Sequence, residues 1–204
     1  MSLNISFEMS ESERHSNSIS TILNMLIARR WIEDDFDKYY NKIFNTRSSE
    51  VLTSHVIECI DKKVAIKFYN SKINSLKNDR EIDIFMTTYP DTHKILIVND
   101  ISPKAEKQIF DSSNFEVFKS NDIIRDISRH HLVPRHILLS PEDATSFVNE
   151  YKLAKKDMGR IYIDDPMCRY LYAQKDDIIQ IIRENVNSGY STYYRLVVPG
   201  SIYN

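Results

Sequence analysis

The chain has 204 residues, enough for one large domain or two small ones at about 100–200 residues each, and enough to bury a core without disulfide or metal staples. Hydrophobic residues make up 42% and charged residues 27%, with only three glycines, which excludes a disordered chain and a fibrous one. Basic residues number 27 against 29 acidic ones, so no bulk positive charge grips nucleic acid, and any such contact must be local or shared with partners.

Cys59 and Cys168 lie far apart, giving neither a disulfide framework nor a zinc spacing, and a reducing compartment fits them better than a secreted one. The segment from Met1 to His15 is polar and acidic, unlike a secretory signal. No uninterrupted apolar stretch is long enough to span a bilayer. A soluble intracellular protein with no membrane partner is expected.

Residues 1–18 read as a polar lead-in. Ile19, Ile22, Leu23, Leu26, Ile27 and Trp31 then recur at helical spacing and predict an amphipathic helix. Phe36, Tyr40 and Ile43 suggest a second, weaker one. Val51 to Ile60 is compatible with helix or strand. Three strand-like runs come next, at Val64–Tyr69, Ile82–Phe85 and Lys94–Val98, the last being the strongest in β-branched residues. Asn99-Asp100 reads as the end of that run. Ser102-Pro103 opens a short helical segment, with proline at an allowed first-turn position. Phe115–Phe118 is a further strand and Ser120–Ser128 a short helix. The alternation predicts an α/β layer domain.

The character changes near His130. Pro134 argues against a continuous helix. Ser140-Pro141-Glu142-Asp143 is a helix start, and Ala144, Phe147, Val148 and Tyr151 line one face of that helix. Asp165-Pro166 precedes a short helix around Met167–Tyr172. Ile178–Arg183 and Thr192–Val198 are strands around the Asn187-Ser188-Gly189 turn signal, and predict a hairpin. The expected division is an α/β domain over residues 1–129 and a smaller α+β domain over 130–204.

Catalytic patterns are scarce. Three glycines rule out both phosphate-loop motifs, and no nucleophile elbow occurs. His130, His131 and His136 cluster, but adjacent histidines on regular structure point apart and no further ligand completes a metal set. A chain corner with backbone hydrogen bonds is the expected role. A metal-dependent nuclease would need a carboxylate cluster around Asp83, Asp91 and Asp100, and the acid-x-Lys element that should accompany it on a neighbouring strand is absent. Asp164-Asp165-Pro166 reads as a turn or helix cap, because neighbours on a strand face opposite sides. Lys152, Lys155, Lys156 and Arg160 read as a solvated helix face. Tyrosines in excess near the C-terminus suit a protein interface. No catalytic residue, cofactor, metal or small-molecule substrate is expected, and binding is favoured over catalysis.

His130-His131-Leu132-Val133-Pro134-Arg135-His136, followed by Leu139-Ser140, resembles the H-x-L-V-P-[KR]-H…LS signature of the fifth subunit of eukaryotic nuclear RNA polymerases and of the archaeal H subunit. Arg160-Ile161, Asp165-Pro166, Arg169-Tyr170, Ile181-Ile182-Arg183, Ser188-Gly189 and Tyr194-Arg195 come in the family's order. Asn99-Asp100-Ile101-Ser102-Pro103-Lys104-Ala105 is similar, more loosely, to its N-x-I-[ST]-P-x-A element. The archaeal version lacks the N-terminal part, so the eukaryote-like arrangement is the nearer model, and a large cytoplasmic DNA virus of the asfarvirus type is the implied source.

The resemblance implies a non-catalytic subunit of a multisubunit DNA-directed RNA polymerase. Its N-terminal jaw, with a nuclease-like layer fold, would lie near downstream duplex DNA through Ser102, Pro103, Lys104, Ala105 and Lys107. Its C-terminal domain would dock on the largest subunit, beside the other polymerase subunits, through His131, Leu132, Val133, Pro134, Arg135, His136, Arg160, Asp165, Pro166, Arg169, Tyr170, Arg183 and Arg195. The implied location is host cytoplasm and virion if viral, nucleus if cellular. One departure stands out. The glycine-containing stretch that the family carries after the Asp-Pro helix is Tyr172–Asp177 here, so that turn must be built with Asp chemistry. Two other readings stay open: a nuclease-derived DNA-binding protein, and an adaptor that docks on a host polymerase.

Overall fold

The computed structural model describes residues 9–45, 54–73, 79–103, 105, 114–185 and 189–200. The chain divides into two compact units, Met1–Arg125 and Asp126–Asn204. The sequence alone puts the boundary a few residues later, at 129. Residues 126–129 belong with the second unit: Asp126 accepts from the Ser128 amide and caps a 3₁₀ turn, Ile127–Arg129.

The first unit opens with α1, Glu11–Ala28. Its first turns are the polar residues read as a lead-in. Ser10 accepts from the Glu13 amide while the Glu13 carboxylate accepts from the Ser10 amide, a reciprocal cap that starts a helix whatever the polarity of its first residues. Helix α2 is Phe36–Asn45. A four-stranded sheet comes next, in the order β1-β2-β3-β4. Its strands are β1 (Ser54–Glu58), β2 (Lys63–Ile73), β3 (His93–Ile101) and β4 (Phe115–Lys119). Strand β1 runs antiparallel to β2, while β2, β3 and β4 are parallel neighbours. The central β3 is buried from His93 to Val98, as befits a strand covered on both faces.

Two further sequence expectations fail in this unit. Ile82–Phe85 is not a strand but the middle of α3, Arg80–Thr88. Its period is helical: Ile82 and Phe85 are buried while Ile84 is 53% exposed. Asn99-Asp100 does not end β3 either. A register shift in β2 between Tyr69 and Lys72 lets pairing resume as Lys72 with Asp100 and Ile73 with Ile101.

One sheet face carries Ala65, Leu96, Val98, Phe115 and Val117 against Ile82 and Phe85 of α3. Register puts Ile66, Phe68, Ile95, Ile97 and Glu116 on the other face. There His15 of α1 lies against Phe68, and Arg29, the C-cap of α1, against Glu116. Ile19, Ile22, Leu23 and Leu26 of the same helix are fully buried. A short helix α4, Ser120–Ile123, comes directly after β4.

The second unit has its own four-stranded sheet, ordered β5-β7-β8-β6. These are β5 (Arg135–Leu138), β6 (Gly159–Tyr162), β7 (Ile178–Asn185) and β8 (Gly189–Val198). Strands β7 and β8 form the antiparallel hairpin expected from the Asn187-Ser188-Gly189 signal, with Asn185 opposite Gly189. The sequence pattern assigns no strand to β5, which pairs antiparallel with β7, and β6 joins β8 in parallel.

Helix α5, Pro141–Tyr151, begins as expected, with Ser140 accepting from the Asp143 amide and Pro141 in the first turn. Ala144, Phe147 and Val148 pack on Met158, Ile178 and Leu196. Lys152, Lys155, Lys156 and Arg160 do not share a helix face, which corrects the expectation from sequence. Lys152 is the left-handed C-cap of α5, Lys155 and Lys156 lie in a 3₁₀ turn, and Arg160 is in β6. Helix α6 is Pro166–Leu171, capped by Asp165, whose side chain accepts from the Met167 amide. In the turn after it Tyr172 and Asp176 take positive φ of 55° and 73°, and the Asp177 carboxylate accepts from the Gln174 amide at 2.7 Å. Asp chemistry closes the turn there without glycine.

Candidate functional site

The signature segment forms a corner between the Ile127–Arg129 turn and β5. The Val133 amide donates to His130 O at 2.8 Å, and the Leu132 amide donates to His130 Nδ1 at 3.2 Å. Held this way, Leu132 is 76% exposed. The His130 and His131 rings do not point apart, as regular structure would have them. They stack with centroids 4.7 Å apart, because the corner is not regular structure. Val133 and Pro134 are half-buried and Arg135 is exposed.

His136 Nδ1 donates to Pro134 O at 2.7 Å. A carbonyl only accepts, so this bond sets the tautomer. Burial pushes the imidazole down, against the opposing effects of that bond and of Asp165, with Arg183 and Arg195 lowering it further. Strand register puts His136, Ile181, Arg183 and Arg195 on one sheet face. The structure thus gathers His136, Asp165, Arg183 and Arg195 of the sequence candidates. Arg135 and Arg160 fall on the opposite face by the same register. Arg195 Nη1 reaches over to the Arg160 carbonyl at 3.3 Å. The Arg183 guanidinium lies over the Tyr193 ring, 5.5 Å from its centre.

The remaining candidates split between framework and surface. Tyr170 is buried, which pushes its hydroxyl up to about 12, and its Oη lies 3.3 Å from Ser128 Oγ. Asp165 acts as a cap, as the Asp-Pro break suggested. Pro166 is exposed and Arg169 half-buried.

In the first unit, the Ser102 amide donates to Ile73 O at 2.9 Å, and Ser102 Oγ accepts from the Ala105 amide at 3.3 Å. Pro103 and Ala105 are helical, so Ser102 is a helix cap with proline just inside it. Pro103 is exposed and Ala105 buried. Lys104 and Lys107 lie outside the described residues. Beside this loop Lys72 Nζ contacts Asp100 Oδ2 at 2.7 Å, which holds Asp100 below the ordinary carboxylate range against slight burial. Among the described residues no three His, Cys, Asp or Glu side chains gather to share a metal ion, so Asp83, Asp91 and Asp100 do not form the cluster a nuclease centre requires. Among the same residues no helix is long and apolar enough to cross a membrane.

Sequence reasoning missed a buried polar group in the first unit. Arg29, with no exposed side-chain surface, makes two bonds to Glu116, and His93 Nε2 lies 2.6 Å from Glu116 Oε1. Trp31 closes the group. Its ring meets His93 edge-on at 4.8 Å and has Arg29 at 4.8 Å and Lys62 Nζ at 3.4 Å from its centre. These residues are strung over the whole first unit, and no local motif marks them.

Residues 125–197 match the model of the family described as RNA polymerase Rpb5, C-terminal domain. The match covers most of the second compact unit. DNA-directed RNA polymerase subunit Rpo5 of the archaeon Thermofilum pendens is 41% identical over 75 residues, 37% of this chain and 94% of that protein. DNA-directed RNA polymerase subunit 5 of Acanthamoeba polyphaga mimivirus is 32% identical over 134 residues, 66% of this chain but only 65% of that protein. The subunit rpabc1 of DNA-directed RNA polymerases I, II, and III of Dictyostelium discoideum is 26% identical over 186 residues, 87% of this chain and 94% of that protein. The chain belongs to the family of RNA polymerase subunit 5, the family its C-terminal signature resembles. A large DNA virus is among the sources of its relatives.

Proposed function

We propose that this chain is the fifth, non-catalytic subunit of a multisubunit DNA-directed RNA polymerase. The carrying observation is the archaeal match, 41% identical over 75 residues and covering 94% of a protein named as a polymerase subunit, beside the family-model match over residues 125–197. Residues 130–204 dock on the largest polymerase subunit. Leu132, Arg135 and Arg160 offer exposed surface for this, while His136, Asp165 and Tyr170 hold the frame that presents it. Residues 1–129 form a jaw of nuclease-like layer fold beside downstream duplex DNA. The α/β layering with helices on both sheet faces supports that reading, as does the cap that Ser102 makes on the Ala105 amide. Lys104 and Lys107 would contact phosphates, which positions the protein without reading sequence. Phosphodiester chemistry and its Mg²⁺ belong to the large subunits. The location is host cytoplasm and virion for a viral chain, nucleus for a cellular one.

Gentle purification of the tagged chain from its native source, with identification of the proteins that accompany it, tests the assignment. Stoichiometric recovery with the two largest polymerase subunits is expected. Recovery as a lone monomer overturns it, and recovery with a host largest subunit alone makes the chain an adaptor instead. Crosslinking of Lys104 to downstream DNA in the purified polymerase, reduced in Lys104→Ala with the subunit retained, tests the jaw.

A further inference from the structure

Charge is sorted in the second unit. Its strands carry Arg135, Arg160, Arg183 and Arg195, all exposed, and a single acid, Glu184. The unit's other acids stand on helices, caps and turns. Elsewhere in the unit Arg129 meets Asp126 and Lys155 meets Asp176, yet among the described residues none of the strand arginines meets a carboxylate.

Two of these arginines frame one patch. Register puts Arg183, Tyr193 and Arg195 on the sheet face of His136 and turns Glu184 to the other. Tyr193 is 50% exposed, and the Arg183 guanidinium lies over its ring. Arg195 donates to the Arg160 carbonyl, a neutral acceptor that leaves the arginine charge uncompensated. Its neighbour in β6 is Gly159, which adds no side chain to cover it. Both guanidinium charges bear on His136, with Asp165 acting against them. Arginine and tyrosine are the residues interfaces favour, and a guanidinium fork fits a carboxylate with two parallel bonds. The net charge of −2 and the nearby Asp165 repel a polyanion such as nucleic acid, but leave room for a few discrete carboxylates. Resting on the reading of this chain as a polymerase subunit, we propose that the Arg183–Tyr193–Arg195 face receives an acidic segment of the largest subunit. Its carboxylates pair with the two guanidinium groups and its apolar atoms lie on Tyr193.

The test uses the polymerase recovered through the tagged full chain. Arg183→Glu together with Arg195→Glu is expected to lower recovery of the largest subunit by about tenfold or more, because like charges then face each other. The melting temperature should hold, since both side chains are exposed. Lys156→Glu, the same kind of charge change in the 3₁₀ turn away from this face, is expected to leave recovery unchanged. In Arg183→Lys and Arg195→Lys, a carbodiimide that joins amine directly to carboxylate is expected to couple these positions to an Asp or Glu of the largest subunit, located by mass spectrometry. Undiminished recovery with the double reversal, while the unaltered chain brings down the polymerase, overturns the site and leaves the subunit assignment standing. An unaltered chain recovered alone removes both. A doubly reversed subunit that stays in the polymerase but loses DNA assigns the face to nucleic acid and overturns the proposal. Should the double reversal fail to fold, the coupling decides: a carboxylate of the largest subunit supports the site, and no coupling overturns it.

Discussion

Arg29 Nη1 and Nη2 donate to Oε1 and Oε2 of Glu116 at 2.7 and 2.9 Å, a two-pronged bond between the C-cap of α1 and the second residue of β4. Both groups are withdrawn from water, and His93 approaches the same carboxylate. Burial raises the Glu116 carboxyl, but the Arg29 charge, the bonds from His93 and Arg29, and the His93 charge outweigh it and bring it to about 2. Removing one partner of such a pair leaves a buried charge uncompensated, which costs more than the pair contributes. Arg29→Met is therefore expected to destabilise the first unit by about 3–5 kcal/mol in urea denaturation.

The same pair predicts an acid dependence. The folded value of Glu116 lies below the ordinary 4.5, so on acidification the unfolded chain binds the proton first. The stabilisation is complete above about pH 4.5 and is lost as pH falls toward 2. Between those limits the unaltered chain is expected to lose about 3 kcal/mol more than Glu116→Gln does. Denaturation series at stepped pH on both proteins measure the difference, and parallel curves would count against the coupling.

Asp79 caps α3 by accepting from the Glu81 and Ile82 amides, and the Tyr69 hydroxyl also donates to it. That bond pushes the Tyr69 hydroxyl up to about 12. Asp79→Ala is expected to cost about 1–2 kcal/mol, the ordinary worth of a lost cap with a further bond. Tyr69→Phe should cost less, because the cap itself survives. Equilibrium denaturation of the two variants gives the order.

Lys152 ends α5 with φ of 49°, a left-handed conformation that a side chain resists and glycine does not. Its side chain is exposed. Lys152→Gly is expected to stabilise the second unit by about 1 kcal/mol, read as a higher melting temperature. An unchanged or lower value would mean that this side chain stabilises the cap by some contact of its own.

Leu132 is exposed at the corner of the signature segment, whereas Ile179 is fully buried in the central strand β7. Leu132→Ala is expected to leave stability within about 0.5 kcal/mol while lowering recovery of the largest polymerase subunit. Ile179→Ala is expected to lose about 2–5 kcal/mol from the fold itself. Melting curves and quantitative pull-downs on both variants separate surface from framework. Undiminished recovery with Leu132→Ala would remove that residue from the proposed interface.

Much of the fold was legible where the signals were local. Ser140-Pro141 and Asp165-Pro166 announced α5 and α6, because a cap and a first-turn proline act within a few residues. The run from Lys94 to Val98 announced β3 through its β-branched residues. Ile82-Asp83-Ile84-Phe85 misled because its alternation imitates a strand. The contrary signal was Asp79 with Glu81 close behind it, a cap with an acidic first turn. The polar residues 11–18 misled because a helix face turned to water is not apolar, and the Ser10 and Glu13 box was the sign to read. For the candidate surface, the order of short motifs was enough to point to the family. It said nothing of which candidates face outward.

Taken alone, the sequence determined where most elements begin, that the chain falls into an α/β part and a smaller α+β part, and which family its C-terminal signature belongs to. The first two rest on periodicity, capping and turn signals, and the family on the resemblance of an ordered set of short motifs, all short-range along the chain. Only the tertiary structure decided that Arg29 meets Glu116 and that His15 meets His55. It likewise set His136, Arg183 and Arg195 on one sheet face and Arg135 and Arg160 on the other. Those relations depend on strand order and on register, in which a shift of one residue turns every side chain to the opposite face.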